Sequence, residues 1–285
     1  MGCSKKNTQE YDNFCFKWSL WPRDLYVKGN YGYVLDNLEL KIISFKDRKI
    51  VDKIRYSKFG DHWYPHEVIV NNNQILLLLT NLYKIALLEN KKVINIIDFD
   101  FLIHDFIYYK QDTLLLLGQD NGYIFHLYNL KGNKIKDFGK FPEKIAPQIG
   151  PRNFWVQGDT IYTAGINGYK IYRYINEELN DYFIYPDTSF IKGITRKEQG
   201  GVENIFLLSG LNGVVEYRNN LYISTFCHEP ITRYKAKTSY YLDVFNIKSK
   251  ELLEHTKYDS IIVPVCIDNH YLYLIKGNSL LRMRN

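Results

Sequence analysis

Four short pairs of residues along the chain could do chemistry: Arg23-Asp24, His66-Glu67, His104-Asp105 and Arg152-Asn153. Each puts a basic or imidazole group before a carboxylate or amide. Converging, they would offer charge-assisted hydrogen bonds to a small polar ligand or a cation. Asp24, Glu67 and Asp105 could supply oxygen ligands to calcium, but no acidic D-x-D-x-D loop accompanies them. His66, His104 and His228 could ligate zinc, though from three distant segments without a zinc-site spacing. His228-Glu229 could orient a base, and Arg152 and Arg233 could clamp a carboxylate or sugar acid. No nucleophile is marked, because the chain has neither a G-x-S-x-G elbow nor a sialidase-type Asp box. No catalytic residue, metal or cofactor is therefore called for. Trp63, with Trp21, Tyr64 and Trp155, could present a flat apolar ring to a sugar. The plainer reading is that the polar pairs cap strands around ordered water and the indoles pack between sheets.

What must position these pairs is a repeat. Six times a polar turn pair runs into a Tyr- and Leu-rich burst, starting at residues 30, 73, 112, 159, 219 and 269. A period of roughly 40–50 residues with several strands per unit is the mark of propeller blades. The predicted fold is all-β: a six-bladed β-propeller of four-stranded antiparallel blades. In blade one the strands fall at Asp24–Lys28, Tyr31–Leu35, Glu39–Phe45 and Lys49–Tyr56. Glu216 and Ser260 are the looser counterparts of the polar pairs in blades five and six. Blade six runs out after three strands, and the segment Phe14–Leu20 can supply the fourth, closing the ring.

Two insertions break the period. Residues 186–213 separate blades four and five and are expected to add a strand pair, Phe190–Thr195 with Asn204–Leu208. Residues 227–239 form a second insertion, a loop between the second and third strands of blade five. Residues 1–10 read as a flexible tether and 11–285 as one propeller domain, expected to be monomeric.

The 25 Tyr and 16 Phe among 285 residues suit half-buried strands. No apolar run reaches the length of a membrane-spanning helix. The net charge of +6 could suggest an anionic partner. The lysines, however, cluster in hairpin turns such as Lys46-Asp-Arg-Lys49, Asn90-Lys-Lys92 and Lys248-Ser-Lys250, where they protect strand edges. No basic stripe with interleaved aromatics appears, so nucleic acid is not an expected partner. Cys15, Cys227 and Cys266 are too scattered for a disulfide framework and read as small buried residues.

Cys3-Ser-Lys-Lys6 and the polar residues after it are similar to the start of a mature bacterial lipoprotein, with Cys3 as the lipidated residue. The apolar segment and small residues of the full pattern are absent before it. Together with Tyr33-Val-Leu-Asp36, Ile42-Ile-Ser-Phe45, Tyr56-Ser-Lys-Phe-Gly60, Pro65-His-Glu67 and Asp137-Phe-Gly-Lys-Phe-Pro142, the chain resembles the TolB-like and NHL-like six-bladed propeller lipoproteins of Gram-negative bacteria. The resemblance is one of pattern; of the family's Gly-Pro-Gly-Glu-like turn only Pro65 and Glu67 match. It implies the six-bladed fold and a lipid-anchored place in the cell envelope, and it carries over no catalytic residues. The expected function is non-catalytic binding of a glycan, peptide or envelope protein on the loop-rich face. The ligand site would comprise Arg23, Asp24, Trp63, His66, Glu67, His104, Asp105, Arg152, Asn153, His228, Glu229 and Arg233. The alternatives are a metal-assisted hydrolase or lactonase at the same mouth, and a protein–protein scaffold.

Overall fold

A computed structural model describes residues 11–14, 23–60, 62–110, 112–140, 153–164, 170–184, 194–199, 202–207, 209–232, 235–268, 270–277 and 279–284. The described chain is almost entirely strand, in six four-stranded antiparallel sheets arranged as the blades of a propeller. Blade one holds β2 (Asp24–Lys28), β3 (Tyr31–Leu35), β4 (Glu39–Ser44) and β5 (Lys49–Arg55). Blade two holds β6 (Glu67–Asn71), β7 (Gln74–Leu79), β8 (Lys84–Glu89) and β9 (Lys92–Asp98). Blade three is β10 (Ile103–Tyr109), β11 (Thr113–Asp120), β12 (Tyr123–Asn129) and β13 (Lys134–Lys140). Blade four is β14 (Phe154–Gln157), β15 (Thr160–Ala164), β16 (Lys170–Ile175) and β17 (Glu178–Ile184). Blade five is β20 (Ser209–Tyr217), β21 (Asn220–Thr232), β22 (Lys235–Asn246) and β23 (Leu252–Tyr258). The first-named strand of each blade is the innermost.

Leu-, Ile- and Tyr-rich strands form because both faces of each blade are covered by the next blade. The middle strands, such as Gln74–Leu79, are therefore apolar on nearly every residue rather than alternately. Six buried clusters result, one at each blade–blade interface. The cluster that closes the ring joins Leu25, Val34 and Ile43 of blade one to Tyr273, Ile275 and Leu280 of blade six.

Blade six is β24 (Ile262–Ile267), β25 (Tyr271–Lys276) and β26 (Ser279–Arg284), completed by β1 (Tyr11–Phe14). Tyr11 pairs with Met283 and Phe14 with Leu280, so the two ends of the chain form one sheet. The expected closure is present, but the closing strand lies earlier than Phe14–Leu20 and shares only Phe14 with it. Residues 15–22 and the tether 1–10 lie outside the described residues.

One insertion holds the expected strand pair, its first strand lying four residues later than expected, and the other differs in form. The strand pair between blades four and five is β18 (Ile194–Gln199) with β19 (Val202–Leu207), a separate two-stranded sheet. The segment 227–239 is not a loop: it continues β21 and β22, pairing Cys227 with Ser239 and Glu229 with Lys237. Extending the ladder satisfies backbone groups that a dozen-residue loop would leave to solvent.

Glycine matters most at Gly213 on β20. A Cβ there would lie 2.8 Å from the Pro264 carbonyl and 2.8 Å from Val263, so the missing side chain is what lets the inner strands of blades five and six approach.

Candidate functional site

All inner strands run in the same sense around the axis. Their first residues, the loops between blades and the loops joining second to third strands therefore share one face, here the mouth face. Asp24 and Glu67 open β2 and β6, Asp105 lies near the start of β10, and Asn153 immediately precedes β14. They line one central cavity of about 290 Å³, with Arg23 at its edge. The paired extension of β21 and β22 carries His228 and Glu229 beyond the blade on this same face.

Neighbouring blades are tied together through these side chains. The Val68 amide of blade two donates to Asp24 Oδ2 at 2.8 Å, and the Phe154 amide of blade four donates to Asp105 Oδ2 at 3.1 Å. The Phe106 amide donates to Asp105 Oδ1 at 2.7 Å. The strand-capping role therefore holds for both aspartates, alongside whatever they bind. Asp24 and Glu67 are hydrogen-bonded to one another through their carboxyls.

Burial is the first cause of the electrostatics here, and the carboxyls reinforce it. Burial and then the charges of Asp24 and Asp105 hold Glu67 well above the usual carboxylate range. Burial raises Asp24, against the opposing pull of the Val68 amide. Burial pushes Asp105 up to about 8, with Asp24 adding to the rise. No cation among the described residues offsets this wall. The Arg23 guanidinium is turned to Asn37 Oδ1 at 3.1 Å and the Pro65 carbonyl at 3.3 Å. Near neutral pH the cavity can thus both donate and accept hydrogen bonds, and one of its acids titrates in a range useful for proton transfer.

The remaining predicted residues are placed less uniformly. His66 is exposed beside the cavity, and burial, then Arg23, lowers its affinity for a proton. His104 occupies a β-bulge in β10, the extra residue between Ile103 and Asp105, which turns Asp105 to the axis. Trp63 is half-buried against Phe59, ring centroids 5.0 Å apart, within the core between blades one and two. Tyr64 is the more open ring there. Trp155 lines the cavity. Trp21, Arg152 and Arg233 lie outside the described residues.

Glu216 needs correcting. It pairs with Leu221 beside the turn that ends β20, at the opposite end of the inner strand from the mouth. The inserted residues lengthen β20 at its start, so counting back from the turn misplaces the counterpart. Blades five and six instead give the cavity Gly213, Val214 and the segment Val263–Ile267. The polar groups stand where the inner strands of blades one to four begin, and the rest of the lining, including Leu25, Val68 and Phe106 of the same blades, is apolar. The apolar segment from blade six was readable from its repeat, whereas Gly213 carried no signal in isolation.

Charged pairs outside the channel were also missed. Arg173 with Asp181, His126 with Asp137 and Asp243 with His255 each face one another across the two outer strands of a blade. Asp120, His126 and Asp137 are, among the described residues, the three whose ligating atoms close within 4.8 Å. The Lys134 ammonium already sits there, 3.2 Å from Asp120 and 3.3 Å from Asp137, so a metal would have to displace it.

The raised carboxyls make stability pH-dependent. An acid with a raised native pKa holds its proton more tightly folded than unfolded. Its contribution is complete below about pH 4 and is lost as pH rises towards about 8. Gln mimics a protonated Glu, so Glu67→Gln should match the wild type near pH 4. It should melt roughly 3–6 °C higher near pH 8.5 by calorimetry. Equal melting temperatures at both pH values would show that Glu67 is ionised in the cavity.

No protein-family model matches the chain, and no curated protein sequence matches it. Solved structures are similar at the level of the fold. A candidate exported protein from Bacteroides fragilis NCTC 9343 superposes with a TM-score of 0.58 at 11% identity, over 97% of this chain and 94% of that one. Virginiamycin B lyase from Staphylococcus aureus gives 0.59 at 9% identity, over 98% and 99%. A catalytically inactive variant of that lyase with quinupristin gives 0.60 at 8% identity, over 97% and 99%. These likenesses show the propeller fold; the six blades are counted from the chain's own sheets.

Proposed function

We propose that this chain is a non-catalytic binding protein of the bacterial cell envelope, tethered through Cys3 in the manner of TolB-like and NHL-like propeller lipoproteins. Its ligand sits in the mouth of the channel. The observation that carries the reading is the meeting of Asp24, Glu67, Asp105 and Asn153, from four successive blades, in one cavity of about 290 Å³. A polar rim that both donates and accepts, above an apolar lining, suits a glycan or peptide that brings hydroxyl or amine groups together with an apolar face. The arm of blade five stands on the same face and can overhang a ligand too large for the cavity, such as a protein loop. The likeness to a candidate exported protein agrees with an envelope location.

The test is a screen of glycan and peptide arrays with the whole chain, followed by calorimetric titration of the hits. Arg152→Ala should weaken binding by about 1.5–3 kcal/mol through a lost charge-assisted bond. Lys91→Ala, whose partner is Asp52 on the outer strand of blade one, should leave it unchanged. Hits indifferent to Arg152→Ala and to Glu67→Gln would remove the ligand from the mouth.

A second reading has its own support. A carboxyl that titrates near 8 in a channel is suited to general acid–base work. The chain also superposes on virginiamycin B lyases over nearly its whole length. Incubation with quinupristin, followed by mass spectrometry, tests it; an unchanged compound would count against a lyase of that kind.

A further inference from the structure

We infer that the face opposite the mouth docks onto an anionic lipid bilayer. On that face lie the turns joining first to second and third to fourth strands. Lys46, Lys49, Lys92, Lys131 and Lys248 are exposed in or beside the third-to-fourth turns of blades one, two, three and five. None of these five has an ion-pair partner among the described residues. Blade four departs from the pattern, since its turn carries Glu177, which pairs with Lys136 of blade three.

Edge protection accounts for the lysines but not for the aliphatic residues beyond them. One or two residues into the outer strands of blades one to five an aliphatic side chain stands in solvent: Val51 (43% exposed), Ile94 (50%), Ile135 (50%), Leu179 (42%) and Leu253 (56%). One or two residues of strand amount to about 3–7 Å. That overlaps the roughly 5–10 Å to which interfacial segments bury apolar groups beneath a headgroup layer whose anions attract lysine. A girdle of aliphatics under a crown of unpaired lysines matches a lipid surface better than a uniformly polar polyanion.

The chain's path names the same occupant. Tyr11 pairs with Met283, so the polypeptide enters the propeller on this face. Lys5 and Lys6 precede this point in the sequence. The inference does not require a lipid on Cys3. It fixes which face such a tether would hold to the bilayer, leaving the mouth turned away from it.

The full chain, without lipid modification, can be sedimented with phosphatidylcholine vesicles carrying about 30% phosphatidylglycerol and with phosphatidylcholine alone. Binding is expected to the anionic vesicles, at least ten-fold weaker to the neutral ones and weakened again in about 0.5 M salt. Each lysine contributes roughly five-fold, so Lys49→Glu, Lys92→Glu and Lys131→Glu together should abolish measurable partition. Ile94→Ser with Ile135→Ser should weaken it at least three-fold at any salt concentration. Lys58→Glu, on the mouth face, should have no effect. All these side chains are exposed, and unchanged melting temperatures would verify folding. Equal partition into both vesicle types would overturn the inference, as would equal sensitivity to Lys58→Glu. Lysine-dependent retention on heparin without vesicle binding would assign the face to an anionic polymer instead.

Discussion

Asp36→Ala should destabilise the propeller by about 3–4 kcal/mol, although the residue touches no candidate ligand. Asp36 is 1% exposed and Lys41 4%, and they form an ion pair where the second and third strands of blade one meet. Asp36 Oδ1 also accepts the Asn37 amide at 2.7 Å. Truncation would take the closest carboxylate from a buried ammonium whose next one, Glu39, is 4.0 Å away. It would also orphan the turn amide. A buried pair costs much to break but adds little over apolar packing of the same shape, so Asp36→Leu with Lys41→Met should fall within about 1 kcal/mol of the wild type. Urea unfolding of both variants checks this. An Asp36→Ala protein as stable as the wild type would show that Glu39 takes over the ammonium.

Deleting residues 1–14 should be more damaging still. It removes β1, leaving blade six with three strands and the outer edge of β26 unpaired. That edge belongs to a strand whose Leu280 is buried against blade one and whose Leu281 and Met283 are buried against blade five. An opened ring exposes a long apolar edge, so the truncated protein should lose more than about 10 °C in melting temperature and form soluble aggregates. Deletion of residues 1–10 alone should change neither. Light scattering and size-exclusion chromatography separate the outcomes. A monomeric, cooperatively melting 15–285 protein would mean that β1 pairs with a ring already closed by packing.

The mouth was legible because repetition does the work of three-dimensional information. Once Asp24, Glu67 and Asp105 are placed at the start of successive inner strands, a propeller must bring them together whatever they do. The reading failed where the repeat was broken. Glu216 misses the mouth because the insertion lengthens β20 at its start and leaves Glu216 beside the far turn. The arm 227–239 was read as a loop because polar composition does not distinguish a solvated loop from a solvated hairpin. The closing strand was placed at the apolar Phe14–Leu20, whereas Tyr11–Phe14 makes the pairing.

The sequence by itself determined the number of blades, the strands of each blade to within a few residues and the face on which the polar pairs gather. All of these follow from local alternation and a fixed period, which are written along the chain. Only the tertiary structure decided the raised proton affinity of the channel carboxyls, because burial lifts all three and the charge of Asp24 lifts Glu67 and Asp105 further. It alone decided that Arg23 is turned to Asn37 and Pro65 instead of to those acids. It also decided that the turn lysines and the outward aliphatics share one face with the point where the chain enters. Those facts depend on distances between residues far apart in sequence, and such distances exist only once the ring is closed.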